Sequence, residues 1–259
     1  MTKLRVLFLG VSAFSILVGS ASARAVTLIS DIDDTIKVSH VNSVIGIVKN
    51  VRSLNAFPGM ASVYQSLATS GSVTSFYYLS GSPRLLSHHL HTFLNANQFP
   101  KGSMMLRGFR EGKDVGDYKL ARLRKLLPTL SEKVVLVGDD TEKDADVFAQ
   151  IKSEFPSKVD AIYIHRVTGR DLSVAAVTAG ASVFMTSADL AAELFQDEKL
   201  SAGEVLATTS LLLADDSSPV IARFQKCLSK DEALAFTGIQ TIDLDLMAIQ
   251  NKAQDECKH

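Results

Sequence analysis

Short apolar runs without charged residues recur along this chain, with helix-sized segments between them. The runs are Thr27–Ser30, Val73–Leu79, Met104–Leu106, Val134–Val137, Ala161–Ile164 and Val183–Met185. Several are apolar throughout instead of alternating with polar residues, which is typical of strands buried on both faces of a parallel sheet. Because strands of this kind alternate with helices, the pattern predicts a doubly wound α/β fold with a parallel sheet.

Helical periodicity locates the connecting helices. The predicted helices between the runs are Met60–Ala68, Leu85–Leu94, Val115–Leu127 and Asp144–Phe155. Beyond His165 the predicted helices are Ala188–Phe195, Ala202–Leu213, Ile221–Leu228 and Leu244–Lys252. We therefore expect a core over residues 26–170 and, over residues 171–259, a sheet edge with a helical C-terminal appendage. A small accessory domain is the alternative for the last segment.

Residues 1–25 have the pattern of a secretory signal peptide. Lys3 and Arg5 precede an apolar stretch over Val6–Val18, which is shorter than the ~20 residues that a membrane-spanning helix needs. Small residues that end at Ala23 and Ala25 offer cleavage sites. We expect cleavage there and export, to the periplasm or the exterior of the cell; an uncleaved membrane anchor is the alternative.

Composition excludes several classes of function. The chain is 46% hydrophobic and 21% charged, which excludes a largely disordered or collagen-like protein. Without residues 1–25, 24 basic residues face 28 acidic ones and tryptophan is absent, so we expect no nucleic-acid partner. The sequence indicates no particular protein partner. Export permits a disulfide between Cys227 and Cys257, which otherwise stay free.

Acidic residues directly follow the first apolar run. Asp31 and Asp33 point the same way if the chain is still extended there, and their like charges repel unless a cation is close. Phosphoryl transfer uses such a pair. Asp31 would attack phosphorus to form an aspartyl-phosphate, while Asp33 would protonate the leaving oxygen and then activate water. A Mg²⁺ ion would neutralise the charges; a solvated acidic turn or a Ca²⁺ loop is the alternative.

Polar groups also follow the second run, and the carboxyl ends of parallel strands meet at one edge of the sheet. Ser80, Gly81 and Ser82 offer hydroxyls and a flexible backbone that can donate to phosphate oxygens beside a helix N-terminus. Helix capping is the alternative role for these residues. Arg84 would contact the substrate phosphate or a second anionic group, or would be a solvated loop charge.

Later segments add a cation and two more carboxylates. Lys119 lies early in the third predicted helix, from which its amino group can reach the nucleophile and the phosphoryl oxygens. Asp139 and Asp144 follow the fourth run and face the first acidic pair across the sheet edge. They would complete the Mg²⁺ site.

The order of these groups resembles the four motifs of the haloacid dehalogenase superfamily, which implies a Rossmann-like core. The resemblance implies that Asp31 is the nucleophile and Asp33 the acid/base. It places Thr35 in the first motif, Ser80 in the second and Lys119 in the third. It further implies a Mg²⁺ site, with the backbone carbonyl of Asp33 among its ligands; the metal residues would be Asp31, Asp33, Asp139 and Asp144. The candidate substrate-binding residues are Thr35, Ser80, Gly81, Ser82 and Arg84.

Longer segments are similar to the catalytic domain of the actin-patch-protein phosphatidate phosphatases. The similar segments are Ser30–Lys37, Tyr78–Pro83, the Asp139 motif with Glu142 and Asp144, and Ile162–Val167. The resemblance implies a Mg²⁺-dependent phosphomonoester hydrolase, with phosphatidate at a membrane surface as one candidate substrate. Soluble nucleotide or sugar phosphates are the alternative substrates, and a non-catalytic binding module is the remote alternative.

Neither position where the superfamily inserts large caps has room for one here. The first lies between Ile36 and Phe57 and the second between Gly108 and Tyr118. We therefore expect a short flap, no large cap and an active site open to a substrate held at a surface; C-terminal helices that fold over the mouth as a cap are the alternative. Helical spacing over Val44–Leu54 predicts a flap helix, which either packs on the core or contacts the apolar part of the substrate.

Overall fold

Six parallel strands form one sheet in the part of the chain that the structure describes. The computed structural model describes residues 25–39, 53–109, 111, 114–227 and 235–257. The strands are β1 (Val26–Ser30), β2 (Val73–Pro83), β3 (Ser103–Arg107), β4 (Val134–Asp139), β5 (Val159–His165) and β6 (Ala181–Phe184). Their order across the sheet is β3-β2-β1-β4-β5-β6. The order reverses on either side of β1, so the predicted doubly wound α/β fold is confirmed.

Helices connect the strands and continue beyond the sheet. Those between strands are α1 (Met60–Thr69), α2 (Ser87–Ala96), α3 (Val115–Leu126), α4 (Asp144–Glu154) and α5 (Val174–Thr178). The remaining described helices are α6 (Ser187–Gln196), α7 (Ala202–Leu213) and α8 (Gln240–Glu256). No helix among the described residues is both long and apolar enough to cross a bilayer.

Successive apolar residues of each strand pack on opposite faces of the sheet. Leu28 of β1 belongs to a hydrophobic cluster that includes residues of α1, α2 and α6. Ile29, the next residue, belongs to a second cluster that includes Leu123 of α3 and Phe148 of α4. This two-sided burial explains why the strand sequences are apolar throughout.

The C-terminal helices share the core of the sheet. Leu246 and Ile249 of α8 belong to the same hydrophobic cluster as Leu28 of β1, and α1 contacts both α6 and α7. Strand β6 adds the edge that we expect for the segment over residues 171–259.

The helix predicted over Ile221–Leu228 is wrong for its described residues. Residues 221–227 form a bend, a turn and irregular backbone instead. The backbone N–H groups of Val220 and Ile221 donate to the Glu256 carboxylate of α8, and Cys227 forms a disulfide with Cys257, with the two Cα atoms 5.3 Å apart. The apolar residues here are buried because the segment is pinned against other elements, which a helical pattern does not reveal.

Two predicted segments lie largely outside the described residues. They are the signal peptide over residues 1–25, of which the structure describes residue 25 alone, and the flap helix over Val44–Leu54, of which the structure describes only the last two residues.

Candidate active site

The first acidic motif lies in a tight turn beyond β1. The Asp31 N–H still donates to the backbone of β4, at 2.9 Å. The chain then folds back, and the Lys37 N–H donates to the carbonyl of Ile32 at 2.9 Å. Asp34 has a φ of 61°, in the left-handed region that Asp tolerates better than most residues, and its carboxylate accepts the Ser39 N–H at 3.0 Å. The turn thereby buries Asp31 at the carboxyl edge of the sheet.

Three buried carboxylates converge around one lysine. Asp31, Asp139 and Asp144 each offer a carboxylate oxygen, and these oxygens all lie within 4.8 Å of one another. The Lys119 amino group lies 2.7 Å from the Asp31 carboxylate and 2.5 Å from that of Asp144. The Glu142 carboxylate is 3.2 Å from the same amino group. The structure therefore brings together the predicted nucleophile, the third-motif lysine and both acids of the fourth motif.

Burial dominates the electrostatics of this cluster. Desolvation raises the pKa of Asp31 well above its usual value, against the lowering effect of Lys119. The same cause raises the pKa of Asp144 to about 7. Burial would lower the pKa of Lys119, but the carboxylates of Asp144 and Asp31 outweigh that effect and hold its pKa well above the usual range. The site thus holds more carboxyl groups than its one lysine can neutralise.

The donors of this cluster fit a divalent cation. The Oδ2 atom of Asp144 is buried and has no hydrogen-bond partner, which is costly unless a further cation or donor meets it. Gly138 permits the close approach of Asp144 to β4, since a Cβ at this position would lie 2.5 Å from that same oxygen. Several carboxylate oxygens around one point are the ligands that hard cations prefer.

Thr35 links two of the acids. Its hydroxyl lies 2.8 Å from the Asp139 carboxylate and 3.2 Å from that of Asp31. Its carbonyl oxygen lies 2.9 Å from Nδ1 of His165. Thr35 therefore orients the carboxylates, whereas the sequence predicted contact with substrate.

Asp33 lies in a different environment from Asp31. Its Oδ2 accepts hydrogen bonds from the hydroxyls of Ser80 (3.1 Å) and Ser82 (2.7 Å). Its Oδ1 accepts from the Ser39 hydroxyl at 2.7 Å and lies 3.6 Å from the Lys37 amino group. The two serines predicted to bind phosphate thus hold the predicted acid/base in place.

Asp31 and Asp33 both line a cavity of about 200 Å³. The remaining lining residues come mainly from the ends of β2 and β3 and from α2 and α3; they are Lys37, Ser39, Ser80, Gly81, Ser82, Pro83, Leu86, Leu90, Arg107, Val115 and Glu142. At Gly81 a Cβ would lie 2.5 Å from the Val115 side chain. The glycine therefore allows the second-motif loop to close against α3.

Arg84 lies outside the lining of this cavity. Its side chain is 64% exposed and pairs with Glu111 at 3.7 Å, while Arg107 lines the cavity.

Sequence reasoning missed Lys37 and Ser39. The sequence signal that could have identified them is their short distance from Asp33 along the chain, because a tight turn brings residues a few positions later back beside Asp33.

His165 is held from both sides at the end of β5. Its Nδ1 faces the Thr35 carbonyl, and its Nε2 lies 3.2 Å from the side-chain nitrogen of Gln225. The same nitrogen lies 2.9 Å from the Arg166 carbonyl and 2.7 Å from the Met185 carbonyl, so its two N–H groups are shared among three acceptors. The bent segment before Cys227 thus reaches the back of the active-site turn.

A family model described as "Phosphatidate phosphatase APP1, catalytic domain" matches residues 26–166, more than half of the chain. The chain belongs to this family. The matched range contains all the motif residues described above and ends beside His165. Gln225 and the C-terminal helices lie beyond it.

Individual relatives match a similar share of the chain. "Phosphatidate phosphatase APP1" of Saccharomyces cerevisiae is 30% identical over 161 residues, 55% of this chain and 26% of that protein. An uncharacterized protein of Schizosaccharomyces pombe is 28% identical over 156 residues, 56% of this chain and 26% of the relative. The chain therefore matches about a quarter of the length of these relatives.

Among solved structures, a class C acid phosphatase from Bacillus anthracis with tungstate bound matches 53% of this chain and 64% of its own, at 14% identity and a TM-score of 0.36.

Proposed function

We propose that this protein is a Mg²⁺-dependent phosphomonoester hydrolase that works through an aspartyl-phosphate on Asp31. The proposal rests on one observation: two carboxylates line the same cavity but lie in different surroundings. Asp31 is buried against Lys119 and two further acids, and Asp33 is held by the hydroxyls of Ser80 and Ser82.

The reaction has two steps. An Asp31 oxygen attacks phosphorus, the bond from phosphorus to the leaving oxygen breaks, and Asp33 donates the proton that this oxygen takes up. Asp33 then accepts a proton from the water that attacks the aspartyl-phosphate, which releases phosphate and regenerates Asp31. Lys119 balances negative charge beside the nucleophile.

Asp31, Asp139 and Asp144 would hold the Mg²⁺ ion, together with the carbonyl of Asp33. When bound, the ion would neutralise charge on the nucleophile and on the phosphoryl group. The unpartnered Oδ2 of Asp144 and the excess of buried acids support such a cation.

Phosphatidate is the substrate that we propose. Family membership and the S. cerevisiae relative support it. Leu86, Leu90 and Val115 line one part of the cavity and offer apolar contact for the atoms that adjoin a lipid phosphate.

We further propose that the protein is exported after cleavage of residues 1–25. The basic start, the short apolar stretch and the small residues before Ala25 support this, and so does the disulfide. Intact mass of protein recovered from the exported fraction tests it, because a mass that retains residues 1–23 contradicts cleavage.

A substrate panel with matched variants tests the enzymatic proposal. The mature protein with Mg²⁺ should hydrolyse phosphatidate in mixed micelles in preference to nucleotide and sugar phosphates. Asp31→Asn should lose several orders of magnitude in turnover, while Asp216→Asn, which changes an exposed acid in a turn, should behave as the wild type. Near-normal turnover by Asp31→Asn would falsify the nucleophile assignment.

A further inference from the structure

Two large apolar side chains are fully exposed at the mouth of the active site. Leu85 is 94% exposed and Phe109 is 106% exposed. Leu85 lies in the 3₁₀ turn that follows β2, and Phe109 lies just beyond β3. Pro83 pairs with Arg107 across these strands, so the two loops leave the sheet side by side. Both loops therefore rise from the carboxyl edge that holds the catalytic acids.

The neighbouring residues line the cavity. Leu86 and Arg107 belong to its lining, and each is close along the chain to one of the exposed side chains. A single exposed apolar residue needs no explanation. Two such residues, on adjacent loops at the rim of one cavity, form a small apolar edge that we call the rim pair.

Positive charge surrounds the rim pair. Arg84 precedes Leu85 and its side chain is 64% exposed; Arg107 lines the cavity. Two acids of this loop are described: Glu111 pairs with both Arg84 and Arg122, and Asp114 pairs with Lys143. These described side chains carry four positive charges against two negative charges.

We propose that the rim pair inserts into the interfacial layer of a bilayer that contains anionic lipid. The phosphatase reaction that this docking would serve rests on the function proposed above. Leucine and phenylalanine tips beside arginine are the combination that binds to anionic membrane surfaces. A specific protein interface needs on the order of 1,000 Å² of buried surface, far more than two side chains provide, so the bilayer is the better occupant. Docking at this edge brings the phosphate layer of the membrane to the cavity that holds Asp31 and Asp33.

Vesicle co-sedimentation tests the proposal without any need for catalysis. The vesicles contain phosphatidylcholine, either alone or with phosphatidylglycerol, whose headgroup is anionic but is not a phosphomonoester. The test variant is Leu85→Ser/Phe109→Ser. The matched control is Val174→Ser/Val177→Ser, which changes two apolar side chains of α5 that are 83% and 61% exposed and do not line the cavity.

We expect the wild type and the control to bind vesicles with phosphatidylglycerol and to bind more weakly as salt rises. The rim-pair variant should bind about tenfold more weakly or worse. Its thermal unfolding and its hydrolysis of p-nitrophenyl phosphate should match the wild type, because neither side chain is buried or lines the cavity. Phosphatidate hydrolysis in vesicles should fall together with binding.

Equal binding by the wild type and the rim-pair variant would overturn the proposal, as would a wild type that binds no vesicles. A wild-type dimer that becomes monomeric in the variant would also overturn it, because the rim pair would then contact a second copy of the chain. If vesicle binding depends on the rim pair while no phosphomonoester is hydrolysed, the docking proposal stands and the proposed function fails.

Discussion

At the scale of single residues, two acids close together in the chain lie in different surroundings. Burial raises the pKa of Asp31, and the neighbouring carboxylates raise it further against the lowering effect of Lys119. Asp33 accepts hydrogen bonds from three hydroxyls and lies beside Lys37. The proposed roles require an ionised Asp31, which Lys119 and a bound divalent cation would favour, and an Asp33 that can pass a proton to the leaving oxygen.

The acid/base role that we propose for Asp33 predicts an accumulating intermediate in Asp33→Asn. The amide cannot deliver or accept the proton, so turnover should fall about 10²–10⁴-fold. The phosphorylated Asp31 should become detectable by intact mass after acid quenching. Wild-type turnover by Asp33→Asn would show that another group transfers the proton.

The buried acids predict stabilisation by a divalent cation. Mg²⁺ at a hundredfold excess over its dissociation constant should stabilise the protein by about 2.7 kcal/mol, read as a rise in Tm that a chelator reverses. Asp144→Asn should reduce this rise. Asp146→Asn, which changes an exposed acid in the same first turn of α4, should keep it. An equal rise in both variants would remove Asp144 from the cation site.

His165 predicts a loss of stability in mild acid. Burial lowers its pKa below the ordinary value of 6.5, so the unfolded chain binds the proton more readily than the folded one. This contribution to stability is complete above pH 6.5 and is lost as pH falls from there toward the folded pKa, at up to about 1.4 kcal/mol per pH unit. The raised pKa values of Asp31 and Asp144 contribute a slope of opposite sign over the same range, so the His165 contribution is read as the difference in pH slope between urea unfolding of the wild type and of His165→Gln. An unchanged slope in that variant would assign the effect to other groups.

At the scale of elements, the bent segment over residues 220–227 replaces an expected helix and supports the turn after β1. The carbonyls of Thr35, beside Nδ1, and of Met185, beside Nε2, can only accept hydrogen bonds, so the neutral His165 ring donates to one of them. The Gln225 amide has two N–H groups for the three acceptors within its reach, and an N–H turned to Nε2 favours the tautomer with the ring proton on Nδ1. Since the Thr35 hydroxyl contacts the Asp139 carboxylate, this segment is linked to the acids of the candidate site through His165 and Thr35.

Gln225→Leu is therefore expected to lower kcat, by about tenfold, with little change in KM. Without the amide, the ring proton should move to Nε2 and bond the Met185 carbonyl, which lies 3.2 Å away. ¹⁵N NMR of the imidazole reports this change of tautomer independently of activity. Gln150→Leu, an exposed change on α4, is the control. An unchanged tautomer in Gln225→Leu would contradict the role of this amide.

At the scale of the whole molecule, the C-terminal segment is tied to the fold twice. Its helix α8 packs into the same hydrophobic cluster as β1, and the disulfide between Cys227 and Cys257 joins α8 to the bent segment. The sequence did not determine whether these two cysteines pair, and the structure shows that they form a disulfide.

Removal of the disulfide should destabilise the protein by about 3 kcal/mol, because it closes a loop of moderate length. The variant Cys227→Ser/Cys257→Ser should show a lower Tm, and a reductant should lower the Tm of the wild type to the same value. The reductant should leave the double variant unchanged. A wild type whose Tm is insensitive to full reduction would contradict a stabilising role.

The sequence by itself determined the sheet and the residues that meet at its edge. Buried parallel strands need continuous apolar runs, and their carboxyl ends converge, so the order of runs and polar residues is enough to place Asp31, Lys119, Asp139 and Asp144 together. The family resemblance also predicted their roles, because the motifs of that family occur in the same order along the chain.

Only the tertiary structure decided which group each polar side chain contacts. The hydroxyls of Ser80 and Ser82 bond Asp33 from positions 47 and 49 residues away, and Thr35 meets Asp139 across 104 residues. Arg84 turns outward to Glu111. Local propensity and periodicity contain no information on such pairings, because a hydroxyl or guanidinium bonds whichever partner the packed elements bring within about 3 Å.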